Sequence, residues 1–199
     1  MKTFSFKKQV AFWLLFSFIL ILGDQFLKFW IKTSFVLTEK QLITSWFMLY
    51  FVENNGFAFG LEYFGETGKF LLTLFRLVLA GGVLFYFFYL VKNRAGFWSV
   101  LCFILIFSGA VGNLIDSVFY GLFFSESLPS GGAAVFLPDD GGYAPLFFGK
   151  VVDMFYFPIL EGFYPEWVPF LGGKKYEFFK YIFNLADSYI TVGAFLLFF

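Results

Sequence analysis

Four stretches of this chain are apolar for long enough to cross a lipid bilayer, near Gln9–Ile31, Phe70–Val91, Phe97–Ile115 and Phe178–Phe199. A hydrocarbon core takes about 20 such residues in a helix. No water is there to satisfy a backbone N–H or C=O, so the chain must satisfy its own, and helices do this within one segment. The composition fits a chain solvated by lipid: 60% of its 199 residues are hydrophobic, and Phe occurs 37 times. A soluble domain averages about 45–50% apolar. The 14 basic and 14 acidic residues cancel, so no bulk charge points to a nucleic acid or an acidic partner.

Basic residues orient the helices, because loops rich in Lys and Arg stay in the cytoplasm. Lys2, Lys7 and Lys8 precede the first stretch, and Lys92 and Arg94 lie between the second and third. Both places are expected in the cytoplasm, which leaves Lys32–Lys69 and Asp116–Glu177 outside it. The start of the chain is similar to the basic region of a secretory signal. The apolar run behind it is too long for one and lacks a small-residue cleavage site, so it reads as a retained helix. The outer segments predict a small sheet from Phe35–Leu37 and Phe47–Val52, with a turn at Glu53–Gly56. The Gly- and Pro-rich stretch Ser125–Gly149 reads as a long loop, expected to be mobile and to shape a substrate entrance. The fold class is therefore an all-α membrane protein, a single domain over residues 1–199. It has four transmembrane helices, a small extracytoplasmic β-sheet and long outer loops.

Histidine is absent. That removes Ser-His-Asp and Cys-His catalysis and the usual zinc sites, and neither a metal nor a cofactor is expected. The one cysteine, Cys102, lies in an apolar run and reads as a small buried residue. What remains is a set of polar residues inside greasy helices, where a charge costs about 2.5–3.5 kcal/mol at the centre. Asp24 and Lys28 are four apart and share a helix face. Asn113 and Asp116 close the third stretch, with Ser108 and Gly112 spaced for close helix contact. Asn184, Asp187, Ser188 and Thr191 form a polar stripe at the start of the fourth. Asp153 follows two valines in the outer segment. Two carboxylates that converge where water is scarce share a proton, since both cannot ionise cheaply. One then activates water and the other polarises a carbonyl, with no His, Cys or metal. The residues alone leave open which pair among Asp24, Asp116, Asp153 and Asp187 does so. A proton- or ion-coupled transporter is the main competing reading, but it predicts acids spread through the membrane depth. A scaffold protein would not need paired acids, and no motif brings Ser117 and Lys150 together for a Ser-Lys mechanism.

In these blocks the chain resembles the lipoprotein signal peptidase (type II signal peptidase) family. Asp24-Gln25 with Lys28 is similar to the family's first-helix block, and Asn54-Asn-Gly56-Phe-Ala58-Phe59-Gly60 to its Asn-x-Gly-x-Ala-Phe loop. Gly109-Ala-Val-Gly112-Asn113-Leu-Ile-Asp116 resembles its third-helix block. Val151-Val152-Asp153-Met154 and Phe183-Asn184-Leu-Ala186-Asp187 resemble its catalytic blocks. The resemblance implies a bacterial inner-membrane aspartyl endopeptidase. Such an enzyme removes signal peptides from prolipoproteins, before a cysteine carrying diacylglyceryl, and is inhibited by globomycin. It implies Asp153 and Asp187 as the catalytic pair, with Asp24, Lys28, Asn54, Gly56, Asn113, Asp116 and Asn184 in support. Membrane lipids and the lipid-modified prolipoprotein are the implied partners. The sequence departs from the family at Ser117, where an Arg is usual, and in inserts near residues 122–150 and 159–177. Arg76, in the second helix, is expected to supply the missing cation to Asp116 or Asp24.

Overall fold

In the computed structural model the chain is described over residues 5–56, 65–158, 160–178 and 181–198. Helix α1 (Phe6–Ser34) leads to strands β1 (Lys40–Thr44) and β2 (Phe47–Asn54). Helices α2 (Gly65–Lys92) and α3 (Phe97–Ile115) follow. α3 runs without a break through a π-helical turn, Asp116–Tyr120, into the short α4 (Gly121–Phe123). After a long loop come β3 (Val151–Tyr156), β4 (Leu160–Phe163), β5 (Lys175–Phe178), β6 (Ile182–Phe183) and α5 (Leu185–Leu196). Strands β1-β2-β3-β6 form one antiparallel sheet, and β4-β5 a separate hairpin.

Three helices among the described residues are long and apolar enough to cross a membrane: Phe6–Ser34, Gly65–Lys92 and Phe97–Phe123, each with mean hydropathy 2.0. Their outward faces carry exposed large side chains such as Phe12, Phe18, Phe75 and Phe85. The fourth expected span differs. Part of 178–199 forms β5 and β6, and α5 has 12 residues. That is roughly 18 Å at about 1.5 Å per residue, against about 30 Å of hydrocarbon. The helix starts late because Asn184 is its N-cap, in a reciprocal capping box with Asp187.

All strands join the helices at one end of the bundle, where α1 ends, α2 begins, α3 ends and α5 begins. A buried cluster of Ile31, Phe35, Leu49, Phe51, Tyr120, Phe124, Val152 and Met154 fixes the sheet there. Phe35–Leu37 is not the expected strand. Phe35 is committed to this cluster as the cap of α1, and the fully exposed Lys40–Thr44 makes the edge instead.

The Ser125–Gly149 loop is tied to the end of α3 and to α4 by backbone hydrogen bonds. Its backbone donates from Leu137 to Phe123, Tyr143 to Phe124, Ala144 to Gly121, Phe147 to Val118 and Gly149 to Ser117. Two of its glycines serve close approach. A Cβ on Gly142 would lie 2.1 Å from the Gly121 carbonyl oxygen, and one on Gly149 2.0 Å from that of Asp116.

Helix α5 lies against α3 through small residues. A Cβ on Gly109 would fall 2.2 Å from the Ala186 carbonyl oxygen, and one on Gly112 2.7 Å from Asp24 Oδ2. Gly81 and Gly82 in α2 have nothing within 4 Å of that position. Gly109→Ala should therefore destabilise the fold by about 1–3 kcal/mol through overpacking. Gly81→Ala should be neutral, or stabilising by up to about 1 kcal/mol from helix propensity. Thermal unfolding in detergent measures both, and equal effects would contradict the assigned packing.

Candidate active site

The site begins with a charge that α1 cannot leave in lipid. Lys28 is fully buried, and its Nζ lies 3.0 Å from Asp24 Oδ2 and 2.8 Å from Asp116 Oδ2. It also donates to Asn113 Oδ1 at 2.8 Å. Its three donors are thus all used. Gln25 Nε2 ties the same two acids from the side, at 3.1 Å to Asp24 Oδ2 and 3.0 Å to Asp116 Oδ1. Tyr120 donates to Gln25 Oε1 at 3.2 Å.

Both acids also accept from backbone, Asp24 through its second oxygen and Asp116 through the oxygen that it shares with Lys28. Asp24 Oδ1 accepts from Ala186 N at 2.9 Å, and Asp116 Oδ2 from Val152 N at 3.2 Å. Ala186 immediately precedes Asp187, and Val152 immediately precedes Asp153. The Lys28 cluster therefore holds the two segments that carry the other two acids.

Asn184 and Asn113 join those acids. Asn184 Nδ2 donates to Asp153 Oδ1 at 2.7 Å, Asn113 Oδ1 at 3.0 Å and the Val152 carbonyl at 3.2 Å. Asn113 Nδ2 donates to Asp187 Oδ1 at 2.7 Å, and Asn184 N to Asp187 Oδ2 at 3.2 Å. One residue, Asn184, thus touches both Asp153 and Asp187. Asn54 also hydrogen-bonds Asp153, while its Oδ1 accepts from Gly56 N at 2.7 Å. Asp153 is buried. That burial first, and the charge of Asp187 second, push its pKa up to about 7, against the opposing effects of Lys28, Asn184 and Asn54.

Arg76 does not pair with Asp116 or Asp24, which share Lys28 instead. It donates from Nη1 to Ser117 Oγ at 3.2 Å and from Nη2 to the Gly56 carbonyl at 3.3 Å. Gly56 has φ +78°, and a Cβ there would meet the guanidinium at 2.7 Å, so position 56 is constrained twice.

The expected polar stripe on α5 is shorter than its spacing suggests. Asn184 caps the helix, Ser188 Oγ bonds back to the Asn184 carbonyl at 3.1 Å, and Thr191 is exposed. Nor does Asn113 cap α3, because the helix continues past Asp116. Residues 57–60 of the expected loop motif lie outside the described residues. Sequence reasoning quoted Gln25 without giving it a role. It also missed Tyr120, whose only signal was its place one turn beyond Asp116.

Removing the shared cation tests this assembly. Lys28→Met leaves two carboxylates buried beside one another, so it should destabilise the protein by about 3–5 kcal/mol, the range for breaking a buried ion pair. Adding Asp116→Asn should restore part of the loss, read as the unfolding midpoint in detergent.

Comparison with known proteins follows the same geometry. The family model for signal peptidase (SPase) II matches residues 16–199. A lipoprotein signal peptidase of Porphyromonas gingivalis is 45% identical over 180 residues, covering 90% of this chain and 77% of that protein. One from Amoebophilus asiaticus is 34% identical, covering 87% of this chain and 70% of its own length. A bacterial membrane enzyme solved by the in meso method at 2.3 Å is similar in fold. Its TM-score is 0.58 at 23% identity, over 94% of this chain and 85% of that one. On the family match and these identities, the chain belongs to the signal peptidase II family.

Proposed function

We propose that the chain is an aspartyl endopeptidase that removes signal peptides from diacylglyceryl-modified prolipoproteins, with Asp153 and Asp187 as its catalytic pair. The observation that carries this reading is Asn184, which bonds Asp153 by its side chain and Asp187 by its backbone N–H. The names of the relatives support the substrate class.

The environments of the two acids divide the work. Asp187 accepts from two donors, Asn113 Nδ2 and Asn184 N, which fix both of its oxygens. Asp153 is the member assigned the proton, for the reasons of burial and charge given above. In the proposed step, Asp187 takes a proton from water, and the water oxygen bonds to the carbonyl carbon before the lipidated cysteine. Protonated Asp153 donates to the carbonyl oxygen as it gains charge. The C–N bond then breaks: the leaving amine takes the proton held by Asp187, and Asp153 takes back a proton from one of the two hydroxyls as the carboxyl group forms, which restores the pair. Asp24, Lys28, Asn54, Gly56, Arg76, Asn113, Asp116 and Asn184 position this pair.

Asp153→Asn and Asp187→Asn should each abolish cleavage of a lipidated prolipoprotein in detergent, and the losses should not add. Activity of the parent should fall as pH rises through about 7, where Asp153 loses its proton. The sign for stability is the same. Folding raises this pKa, so the contribution is full below the ordinary carboxylate range and is lost as pH rises through about 7. Asp153→Asn should remove that loss. Near-normal turnover of either variant would take that residue out of the pair.

The chain is further proposed to act as one domain of residues 1–199 in a bacterial inner membrane. It would cross four times, with α5 in the last crossing, the N-terminus in the cytoplasm and the sheet outside. In a Cys102→Ala background, Asp140→Cys should react with an impermeant thiol reagent in intact spheroplasts, while Lys92→Cys should not. The opposite pattern inverts the orientation.

A further inference from the structure

The β4–β5 hairpin has no part in the site. It leaves the sheet after β3 and returns at β6, which leads directly into α5. It therefore projects from the bundle end that carries the sheet. At its root, Phe157 stacks on Trp46, Phe47 and Phe183, with ring centroids 5.9, 4.9 and 5.7 Å away. At its tip, Trp167 is 81% exposed and Phe170 94% exposed, with Leu171 exposed beside them.

Three features decide what such a tip fits. Its backbone is closed on itself: Tyr164 and Gly173 N–H groups donate across the hairpin, and Val168, Leu171, Gly172 and Lys174 donate within the turn. Phe170 has φ +64°, a left-handed conformation that residues other than glycine rarely adopt. The fold thus holds a large ring outward, at a cost that burial elsewhere must offset. Lys174 follows the aromatics in the turn, which also holds one carboxylate, Glu166, lying against Gly173. Trp and Lys together are the composition of the headgroup region, where rings sit at the interface and ammonium groups reach out of it.

We infer that the β4–β5 hairpin is an interfacial anchor, inserting Trp167 and Phe170 into the headgroup region of the bilayer at the sheet end of the bundle. The anchor fixes the height of β3 and β6, and so of the segments before Asp153 and Asp187, relative to the membrane surface.

Site-directed spin labelling of the full chain tests this without substrate or turnover, so its failure is separate from failure of the proposed function. Phe170→Cys and Asp140→Cys, each with Cys102→Ala, are labelled and reconstituted in vesicles of phosphatidylcholine with and without phosphatidylglycerol. Collision with oxygen is compared with collision with a water-soluble nickel chelate. The expected ratio of oxygen to nickel accessibility is several-fold higher at 170 than at 140. It should stay high in both kinds of vesicle, because the rings rather than net charge hold the tip. A ratio at 170 equal to that at 140 means a hairpin in water. Low accessibility to both reagents means a ring buried against protein, such as a second copy. Either result overturns the anchor. A trypsin-resistant fold of each labelled variant in the same vesicles excludes misfolding as the cause.

Discussion

The arrangement depends on one lysine in the wrong solvent. Lys28 lies in a membrane-length helix, and the fold neutralises it with two acids rather than one. The second acid leaves a net negative charge and spare carboxylate lone pairs. Those lone pairs are placed on the backbone of α5 and β3. A bare ion pair would satisfy the helix and position nothing else. Three charges convert the cost of desolvation into a clamp on two separate segments.

The clamp needs close approach to operate. Asp24 reaches Ala186 N only because α3 has glycine at 109 and 112, where side chains would hold α5 away. The π-helical turn from Asp116 adds to this. It lets Asp116 look toward β3 while α3 carries on into α4, where the inserted loop returns to bond the turn. A second buried cluster fixes the insert from the other side. Lys32 donates to Glu53 and to Ser127, and Lys150 lies 3.6 Å from Glu53 Oε2. Glu53 adjoins Asn54 and Lys150 precedes β3, so the insert bears on both strands of the site as a buttress.

Much of this was legible from residue type. A charge or amide in a greasy run has few explanations, and Asp24, Lys28, Asn113, Asp116, Asn184 and Asp187 were found on that ground. Asp153 was found through its place in a recognisable block. The first three helices were legible because their apolar runs are long. The start of α5 was not, since Ile182–Phe183 is as apolar as a helix yet pairs as strand, and only the cap at Asn184 marks the change. The close contacts of the Ser125–Gly149 loop were not legible, because glycine signals flexibility and close approach with the same letter. Lys32 and Glu53 were missed because their spacing carries no pattern; they meet only through β2.

Arg76 shows how a missing charge is replaced through space rather than along the chain. An arginine at 117 would arrive from α3 itself, beside Asp116. Here the guanidinium comes from α2, and Ser117 is small enough to admit it. Ser117 Oγ accepts from Arg76 and donates to the Asn113 carbonyl at 2.9 Å, so the hydroxyl joins α2 to α3. The other nitrogen holds Gly56, two residues from Asn54. Asp116 keeps Lys28 as its cation, so the arginine does not add one more charge to the clamp; from α2 it joins α3 to the segment of Asn54.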